Sequence, residues 1–370
     1  MPKIRVLIVD DSVVIRRLLS DELGKDPDLD IVGTAPTGKI ALAKIPQVNP
    51  DIVTMDIEMP EMDGLEAVTE IRKIYATLPI IMFSTLSQRA ARETLEALSR
   101  GANDYVTKPA NVGSASLAMQ RVREELIPKI KVLCAGRRAP AETPRPAPTP
   151  LSSPPQPRGI QSPALDQPVD VVAIGVSTGG PNALGNVFES LPCDLPVPIL
   201  IVQHMPPVFT KCLAERLAAK SGMPVQEGAS GATLCPGQAW IAPGGYHMVV
   251  TRNGTNVELA LNEDPPENSC RPAVDVLFRS VAQVFGARTL AVMLTGMGYD
   301  GLKGCEVLHE CGAQILAQDE ASSVVWGMPG AVAEAGLAHQ VLPLSQIPGA
   351  IVARVQQGRI AQPLTTGAAH

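Results

Sequence analysis

A proline-rich stretch divides this 370-residue chain into two parts. Ten prolines fall between positions 139 and 168, and apolar residues large enough for a core almost vanish there. Each proline fixes its φ angle and lacks a backbone donor, so this density excludes helix and central strand and leaves an extended, semi-rigid spacer. We therefore predict a first domain at 1–134, a linker at 135–168, a second domain at 169–357 and a flexible tail at 358–370.

Composition narrows the possible functions. Aromatic residues make up only 3% of the chain, which argues against a module that stacks bases or sugars. The 31 basic and 37 acidic residues give a net charge of −6, which disfavours nucleic acid as a partner. The seven cysteines include no Cys-x-x-Cys pair, as is typical of reduced thiols. With no signal-peptide layout and no apolar run long enough for a bilayer, we expect a cytoplasmic protein without membrane insertion.

The first domain alternates short apolar runs with segments of helical spacing. The predicted strands are 4–9, 31–33, 51–55, 79–83 and 104–107, and the predicted helices are 12–23, 38–45, 64–75, 88–100 and 114–127. Strands rich in apolar and β-branched residues are typical of a sheet buried on both faces. The pattern predicts an α/β fold, a five-stranded, doubly wound, flavodoxin-like parallel sheet.

The second domain repeats this pattern. Strands are predicted at 169–175, 197–203, 238–242, 248–251 and 289–295. Asn253 and Gly254 form a hairpin turn signal, so some antiparallel pairing is expected between residues 240 and 261. We predict a second doubly wound α/β domain, Rossmann-like and mostly parallel.

Polar side chains follow the predicted strands of the first domain. Asp10, Asp11 and Asp56 would meet at the carboxyl edge of the sheet with Ser84 and Lys108. Clustered carboxylates repel one another unless a hard cation such as Mg²⁺ neutralises them. A metal and a lysine would together make Asp56 a plausible acceptor of a phosphoryl group.

The second domain carries a serine, a histidine and an aspartate at strand ends. Ser177 lies in a Gly-x-Ser-x-Gly run after the first strand, the pattern of a nucleophile elbow, and Asp300 follows a glycine-rich loop in which the amide of Met297 could bind an oxyanion. His204 follows a strand more cleanly than the other histidines, and is favoured as the base. The order of an α/β-hydrolase would instead require His309 or His339. The remaining competitors are His247 for the base and Asp275 for the acid.

The first domain resembles the two-component receiver family over residues 1–125. The resemblance rests on residues 9–12 (Val-Asp-Asp-Ser), 55–60 (Met-Asp-Ile-Glu-Met-Pro), 62–64 (Met-Asp-Gly), 83–84 (Phe-Ser) and 105–109 (Tyr-Val-Thr-Lys-Pro). It implies that Asp56 accepts phosphate from a histidine kinase and that Asp10, Asp11 and Asp56 hold Mg²⁺. It also implies that Lys108 contacts the phosphate, and that Ser84 and Tyr105 form the switch pair.

The second domain resembles the catalytic domain of bacterial chemotaxis protein-glutamate methylesterases over about 169–355. The matching segments are 175–180, 203–205, 241–247, 271–278, 294–301 and 327–329, and Val176 stands where alanine is expected. The resemblance implies that Ser177 is the nucleophile, His204 the base, Asp300 its orienting acid and the Met297 amide the oxyanion donor, without a cofactor. It further implies demethylation of glutamate γ-methyl esters, and deamidation of glutamines, on chemoreceptor cytoplasmic helices.

Two other functions agree less well with the sequence. A DNA-binding regulator is disfavoured because the second domain has no basic recognition helix and the chain is acidic. A non-catalytic nucleotide- or phosphate-binding module would use the turn at 175–180, because glycine-rich strand–helix turns also bind phosphates. Labelling of Ser177 by a fluorophosphonate would distinguish a hydrolase from such a module.

Overall fold

A computed structural model describes residues 2–108, 119–120, 122–135 and 167–357. The predicted tail, and the predicted linker apart from its two ends, lie outside the described residues. No helix in the described ranges is long and apolar enough to cross a bilayer.

The N-terminal domain contains one parallel five-stranded sheet in the order β2-β1-β3-β4-β5. Its strands are β1 (Ile4–Val9), β2 (Leu29–Ala35), β3 (Ile52–Asp56), β4 (Ile80–Ser84) and β5 (Asp104–Thr107). The helices between them are α1 (Val13–Leu23), α2 (Gly38–Val48), α3 (Gly64–Ile74) and α4 (Gln88–Ser99). The predicted doubly wound fold is therefore confirmed.

Local sequence determines where these four helices begin. Ser12, Thr37, Asp63 and Ser87 each precede a helix and accept a hydrogen bond from a backbone amide in its first turn. The last predicted helix was ended too early, at residue 127. A π-helical turn (Val122–Leu126) continues into α5 (Ile127–Ala135), and Pro128 lies in the first turn of α5, where a missing donor is tolerated.

The C-terminal domain is built on a seven-stranded parallel sheet in the order β14-β13-β12-β6-β7-β9-β8. Its strands are β6 (Val171–Val176), β7 (Ile199–Gln203), β8 (Val225–Glu227), β9 (Ala239–Ile241), β12 (Thr289–Met293), β13 (Gln314–Gln318) and β14 (Gln340–Leu342). Its helices are α6 (Gly180–Ser190), α7 (Phe209–Ser221), α8 (Val274–Phe285), α9 (Leu302–Glu310), α10 (Met328–Glu334) and α11 (Ile347–Gln357).

An antiparallel hairpin stands apart from that sheet. It joins β10 (His247–Asn253) to β11 (Asn256–Asn262), with Gly254 at a positive φ in the turn. The hairpin confirms the turn signal, but Trp240 lies on β9, which pairs in parallel. Strands β8, β13 and β14 were not predicted, because two have only three residues and β13 has glutamine at both ends.

The two domains meet through α4 and β5 on one side and α6 and α7 on the other. The rings of Tyr105 and Phe209 stack with centroids 4.8 Å apart and planes 3° from parallel. Arg92 on α4 forms an ion pair of 3.0 Å with Glu215 on α7. Asn182 donates to the backbone oxygen of Leu98 at 2.7 Å. The interface therefore combines a buried aromatic contact with polar contacts around it.

Candidate active site and phosphorylation site

The turn after β6 brings Ser177 to the carboxyl edge of the C-terminal sheet. Its backbone amide donates to the oxygen of Thr295 at 3.0 Å, next to the end of β12. Gly179 has a φ of 78°, and a Cβ there would lie only 2.6 Å from Val324. Both the left-handed backbone and the lack of space require glycine, which permits the sharp turn that carries the half-buried serine.

His204 and Asp300 form a close pair beside this turn. The imidazole Nε2 lies 2.7 Å from Oδ2 of Asp300, and the side chains are 12% and 3% exposed. Burial, the largest single effect, would lower the pKa of His204, but Asp300 and Cys270 together outweigh it and raise that pKa to about 10. Burial would raise the pKa of Asp300, yet the bonds from His204 and from backbone amides lower it. At neutral pH the pair is therefore a carboxylate hydrogen-bonded to a protonated imidazole.

The serine is not yet linked to this pair. Among the described residues, no hydrogen bond joins Oγ of Ser177 to the imidazole of His204. With Nε2 engaged by Asp300, the nitrogen that remains for the serine is Nδ1. Such catalytic hydrogen bonds are often long before substrate binds and tighten afterwards.

The loop after β12 lies against the serine. A Cβ on Gly296 would sit 2.9 Å from Cβ of Ser177, so this glycine permits close contact between loop and nucleophile. The amide of the next residue, Met297, has no acceptor within the described parts of the chain. A free amide beside the nucleophile is suited to a developing oxyanion.

The competing histidines have other partners. Nε2 of His247 lies 3.2 Å from the oxygen of Pro265, and its Nδ1 accepts from the amide of Ala273. His309 and His339 face each other at 5.7 Å, and Nδ1 of His339 accepts from the amide of Ile315 near the start of β13. That is the edge opposite the serine, so among the described histidines the structure brings His204 alone beside the Ser177 turn.

Two residues near the site were missed by sequence reasoning. The side-chain amide of Gln203 donates to the oxygen of Ser177 at 3.0 Å and thereby ties β7 to the turn. Asn268 donates to Oδ1 of Asp300 at 2.8 Å. Asp275 lies near the pair through Asn268, rather than against the imidazole. A turn signal at Asn268-Ser269 was visible, but nothing local connected it with residue 300.

A second polar site lies at the carboxyl edge of the N-terminal sheet. Carboxylate oxygens of Asp10, Asp11 and Asp56 lie within 4.8 Å of one another, and Nζ of Lys108 is 2.9 Å from Asp10 and 2.7 Å from Asp56. Burial raises the pKa of Asp56 to about 6, against the lowering effect of Lys108. An all-oxygen set of three acids fits a hard divalent cation.

The predicted switch residues lie beyond this cluster. Ser84 is 1% exposed, and its hydroxyl accepts from Oγ1 of Thr94 at 2.8 Å. Tyr105 is also buried, with its ring against Phe209 of the C-terminal domain. The aromatic residue of the pair is therefore at the domain interface.

Comparison with known proteins identifies the family of each domain. The CheB methylesterase profile matches residues 172–351, and the response regulator receiver domain profile matches residues 6–118. A relative from Trichodesmium erythraeum, named protein-glutamate methylesterase/protein-glutamine glutaminase, is 52% identical over 96% of this chain and 100% of its own length. The chain belongs to the CheB methylesterase family. A Nocardioides relative of the same name is also 52% identical, over 97% of each chain.

One similar solved structure is from the CheB methylesterase family. The crystal structure of the Thermotoga maritima CheB methylesterase catalytic domain is 41% identical. It covers 50% of this chain and 97% of its own, with a TM-score of 0.49.

The raised pKa of Asp56 predicts how the stability of the receiver domain depends on pH. The pKa of Asp56 is about 6 in the folded protein, against an ordinary value of 3.8. Ionised Asp56 therefore lowers the free energy of unfolding. This effect is complete above about pH 6 and disappears as the pH falls towards 3.8. We expect Asp56→Asn to stabilise the fold by on the order of 2 kcal/mol at pH 7.5. Thermal unfolding in a chelator should show a melting temperature several degrees higher.

The gain should shrink as the pH is lowered through 6. Asp11→Asn is the matched control, because Asp11 belongs to the same cluster but is exposed. An equal gain in both variants, or a gain independent of pH, would contradict the explanation by burial.

Proposed function

We propose that this protein is a phosphorylation-controlled protein-glutamate methylesterase. It hydrolyses γ-methyl esters of glutamate, and deamidates glutamine, on the cytoplasmic helices of chemoreceptors for sensory adaptation. The observation that carries the proposal is the 2.7 Å contact of His204 with Asp300 beside the Ser177 turn, in a chain whose relatives bear that name over their full length. The proposed location is the cytoplasm, where those helices lie.

The proposed reaction begins at Ser177. Its Oγ attacks the ester carbonyl while Nδ1 of His204, in the neutral form of the ring, takes the hydroxyl proton, since the Nε2–H group donates to Asp300. The amide of Met297 donates to the oxyanion of the tetrahedral intermediate. The imidazolium then protonates the departing methoxide, which leaves as methanol.

The acyl-enzyme is cleared by the same groups in reverse. His204 takes a proton from water, the hydroxide attacks the acyl carbon, and Ser177 recovers its proton as the glutamate carboxylate leaves. A glutamine side chain would pass through the same acyl-enzyme and release ammonia instead of methanol. Asp300 stays ionised throughout and keeps the imidazole oriented.

Asp56 is the proposed phosphoryl acceptor, with a chemotaxis histidine kinase as the donor. Asp10, Asp11 and Asp56 would hold Mg²⁺, which neutralises charge on the phosphoryl group when bound. Nζ of Lys108 already contacts Asp56 at 2.7 Å and would transfer to a phosphoryl oxygen. The hydroxyl of Ser84 would follow, vacating space into which the ring of Tyr105 turns.

That movement would reach the esterase through Phe209. In the present arrangement Tyr105 stacks on Phe209, and Met297 and Val325 pack at the edge of the receiver core. The receiver thus lies against the loop that carries the oxyanion amide. Withdrawal of Tyr105 would weaken this docking and open the site to a receptor helix.

The direct test is methanol release from methylated chemoreceptor membranes, with and without a small-molecule phosphodonor and Mg²⁺. Release that the phosphodonor stimulates is expected. Absence of methanol, together with absence of fluorophosphonate labelling at Ser177, would leave a non-catalytic phosphate-binding module as the better explanation.

A further inference from the structure

A tight turn contacts the His204–Asp300 pair through Asn268. Glu267 and Cys270 exchange two backbone hydrogen bonds of 3.1 and 2.9 Å. The two residues between them, Asn268 and Ser269, have φ angles of 52° and 63°. Two successive positive φ angles are typical of a type I′ turn, in which asparagine is favoured at the first central position. The backbone alone therefore gives a reason for asparagine at 268.

The side chain of Asn268 gives a second reason. Its Nδ2 donates to Oδ1 of Asp300 at 2.8 Å and to Oδ2 of Asp275 at 2.9 Å. Asp275 and Asp300 are 1% and 3% exposed. Two buried carboxylates thus share one neutral amide, and both of its hydrogens are used.

The turn is fixed to the helix that carries Asp275. Arg279 on α8 makes a two-point ion pair with Glu267, with distances of 2.7 and 2.5 Å. At the far end of the turn, the thiol of Cys270 lies near enough to His204 to raise the pKa of the imidazole. The segment 267–270 therefore touches both members of the proposed base–acid pair.

We propose that Asn268 is a positioning residue that aligns Asp300 for His204 by bridging Asp300 to the buried Asp275. The proposal rests on the proposed function of Ser177, His204 and Asp300, and it concerns a group that touches neither substrate nor reacting atoms. Oδ1 of Asp300 is occupied by Asn268 and the amide of Asp275, so Oδ2 is presented to the imidazole.

Electrostatics explain why an amide is needed there. Burial and the charge of Asp300 raise the pKa of Asp275, because two carboxylates in an apolar setting repel each other. Two N–H donors stabilise both anions without adding a net charge. Removing them should increase the proton affinity of Asp300 and, through it, of His204. The ionisable groups that face this cluster are His204, Cys270, Asp275, Glu267, Arg279 and Lys303.

The test uses the full-length protein with a phosphodonor and Mg²⁺, and measures the rate of Ser177 labelling by a fluorophosphonate between pH 6 and 10. Asn268→Gly removes the amide while glycine accepts the positive φ without strain. We expect labelling to slow about fivefold at pH 7.5, consistent with loss of a hydrogen bond to a charged group. The pH of half-maximal rate should move upwards.

Two further variants distinguish the effect of losing the Asn268 amide from the effect of altering the turn. Ser269→Gly is the matched control, because it alters the other positive-φ position of the same turn and leaves the amide in place, so it should label like wild type. Asn268→Asp keeps the shape but adds a negative charge, and its half-maximal pH should lie above that of Asn268→Gly. This ordered shift would not arise from loosening of the loop alone.

The outcomes are distinguishable. A wild-type protein that is not labelled overturns the proposed function and this inference with it. A labelled wild type with an unchanged rate and pH profile in Asn268→Gly overturns this inference alone, as does an equal loss in Ser269→Gly. Thermal unfolding of each variant shows whether it is folded, and if Asn268→Gly is not, the pH shift of Asn268→Asp decides.

Discussion

Ser177→Ala is expected to lower methyl ester hydrolysis by at least about 10³-fold, as removal of a triad nucleophile does. The neighbouring Thr178 and Thr295 are buried, whereas the turn set by Gly179 presents the side chain of Ser177 beside the free amide of Met297. The measurement is the initial rate of methanol release from methylated receptor membranes. Phosphorylation of Asp56 should be unaffected, since it occurs in the other domain.

Controls for this result are available in the same chain. Ser190→Ala changes an exposed serine at the end of α6, the helix that follows the nucleophile turn, and should keep the wild-type rate. His204→Ala should be as inactive as Ser177→Ala, whereas His309→Ala and His339→Ala should remain active. Near-normal release by Ser177→Ala would refute the esterase mechanism.

Removal of the receiver should activate the esterase at least tenfold. A truncated chain of residues 165–370 is expected to hydrolyse receptor esters faster than the unphosphorylated full-length protein, because the contacts of Tyr105 with Phe209 and of α4 with α6 and α7 are gone. A tenfold effect needs only about 1.4 kcal/mol of docking preference, which one phosphoryl group can reverse. Equal rates of the two proteins on one receptor preparation would exclude inhibition by occlusion.

The ion pair between Arg92 and Glu215 allows a test in the intact chain. Arg92→Glu and Glu215→Arg each place like charges together and should raise the basal rate by up to about fivefold, as expected for an exposed pair. The double variant restores the pair with opposite polarity and should return the rate towards wild type.

Asp56→Asn should abolish the response to a phosphodonor.

Local sequence was sufficient to predict the position of the proposed reacting residues. Ser177, His204 and Asp300 each follow an apolar strand, and parallel strands end at one edge of a sheet, so their convergence could be expected before any coordinates. The cluster of Asp10, Asp11 and Asp56 was predictable for the same reason. In both domains the strongest signals were buried strands of five or more residues.

The supporting contacts were not predictable in this way. Asn268 reaches Asp300 across 32 positions, and Tyr105 meets Phe209 across the predicted linker, so neither contact leaves a periodic pattern. The choice among four histidines also depended on packing, since His247 follows no strand but begins one and is held by Pro265 and Ala273. Tertiary structure decides such pairings.

The stack of Tyr105 on Phe209 has a consequence for the direction of signalling. If the docked receiver and a bound receptor helix exclude each other from the active site, the two events are coupled in one equilibrium. Thermodynamic reciprocity then requires each event to change the free energy of the other by the same amount. A receptor helix in the cleft would then release Tyr105 and favour the phosphorylated receiver. The substrate would thereby favour the signal that admits it. At a fixed concentration of phosphodonor, the phosphorylated fraction of Asp56 should be higher with methylated receptor present than without it, and an unchanged fraction would argue against the coupling.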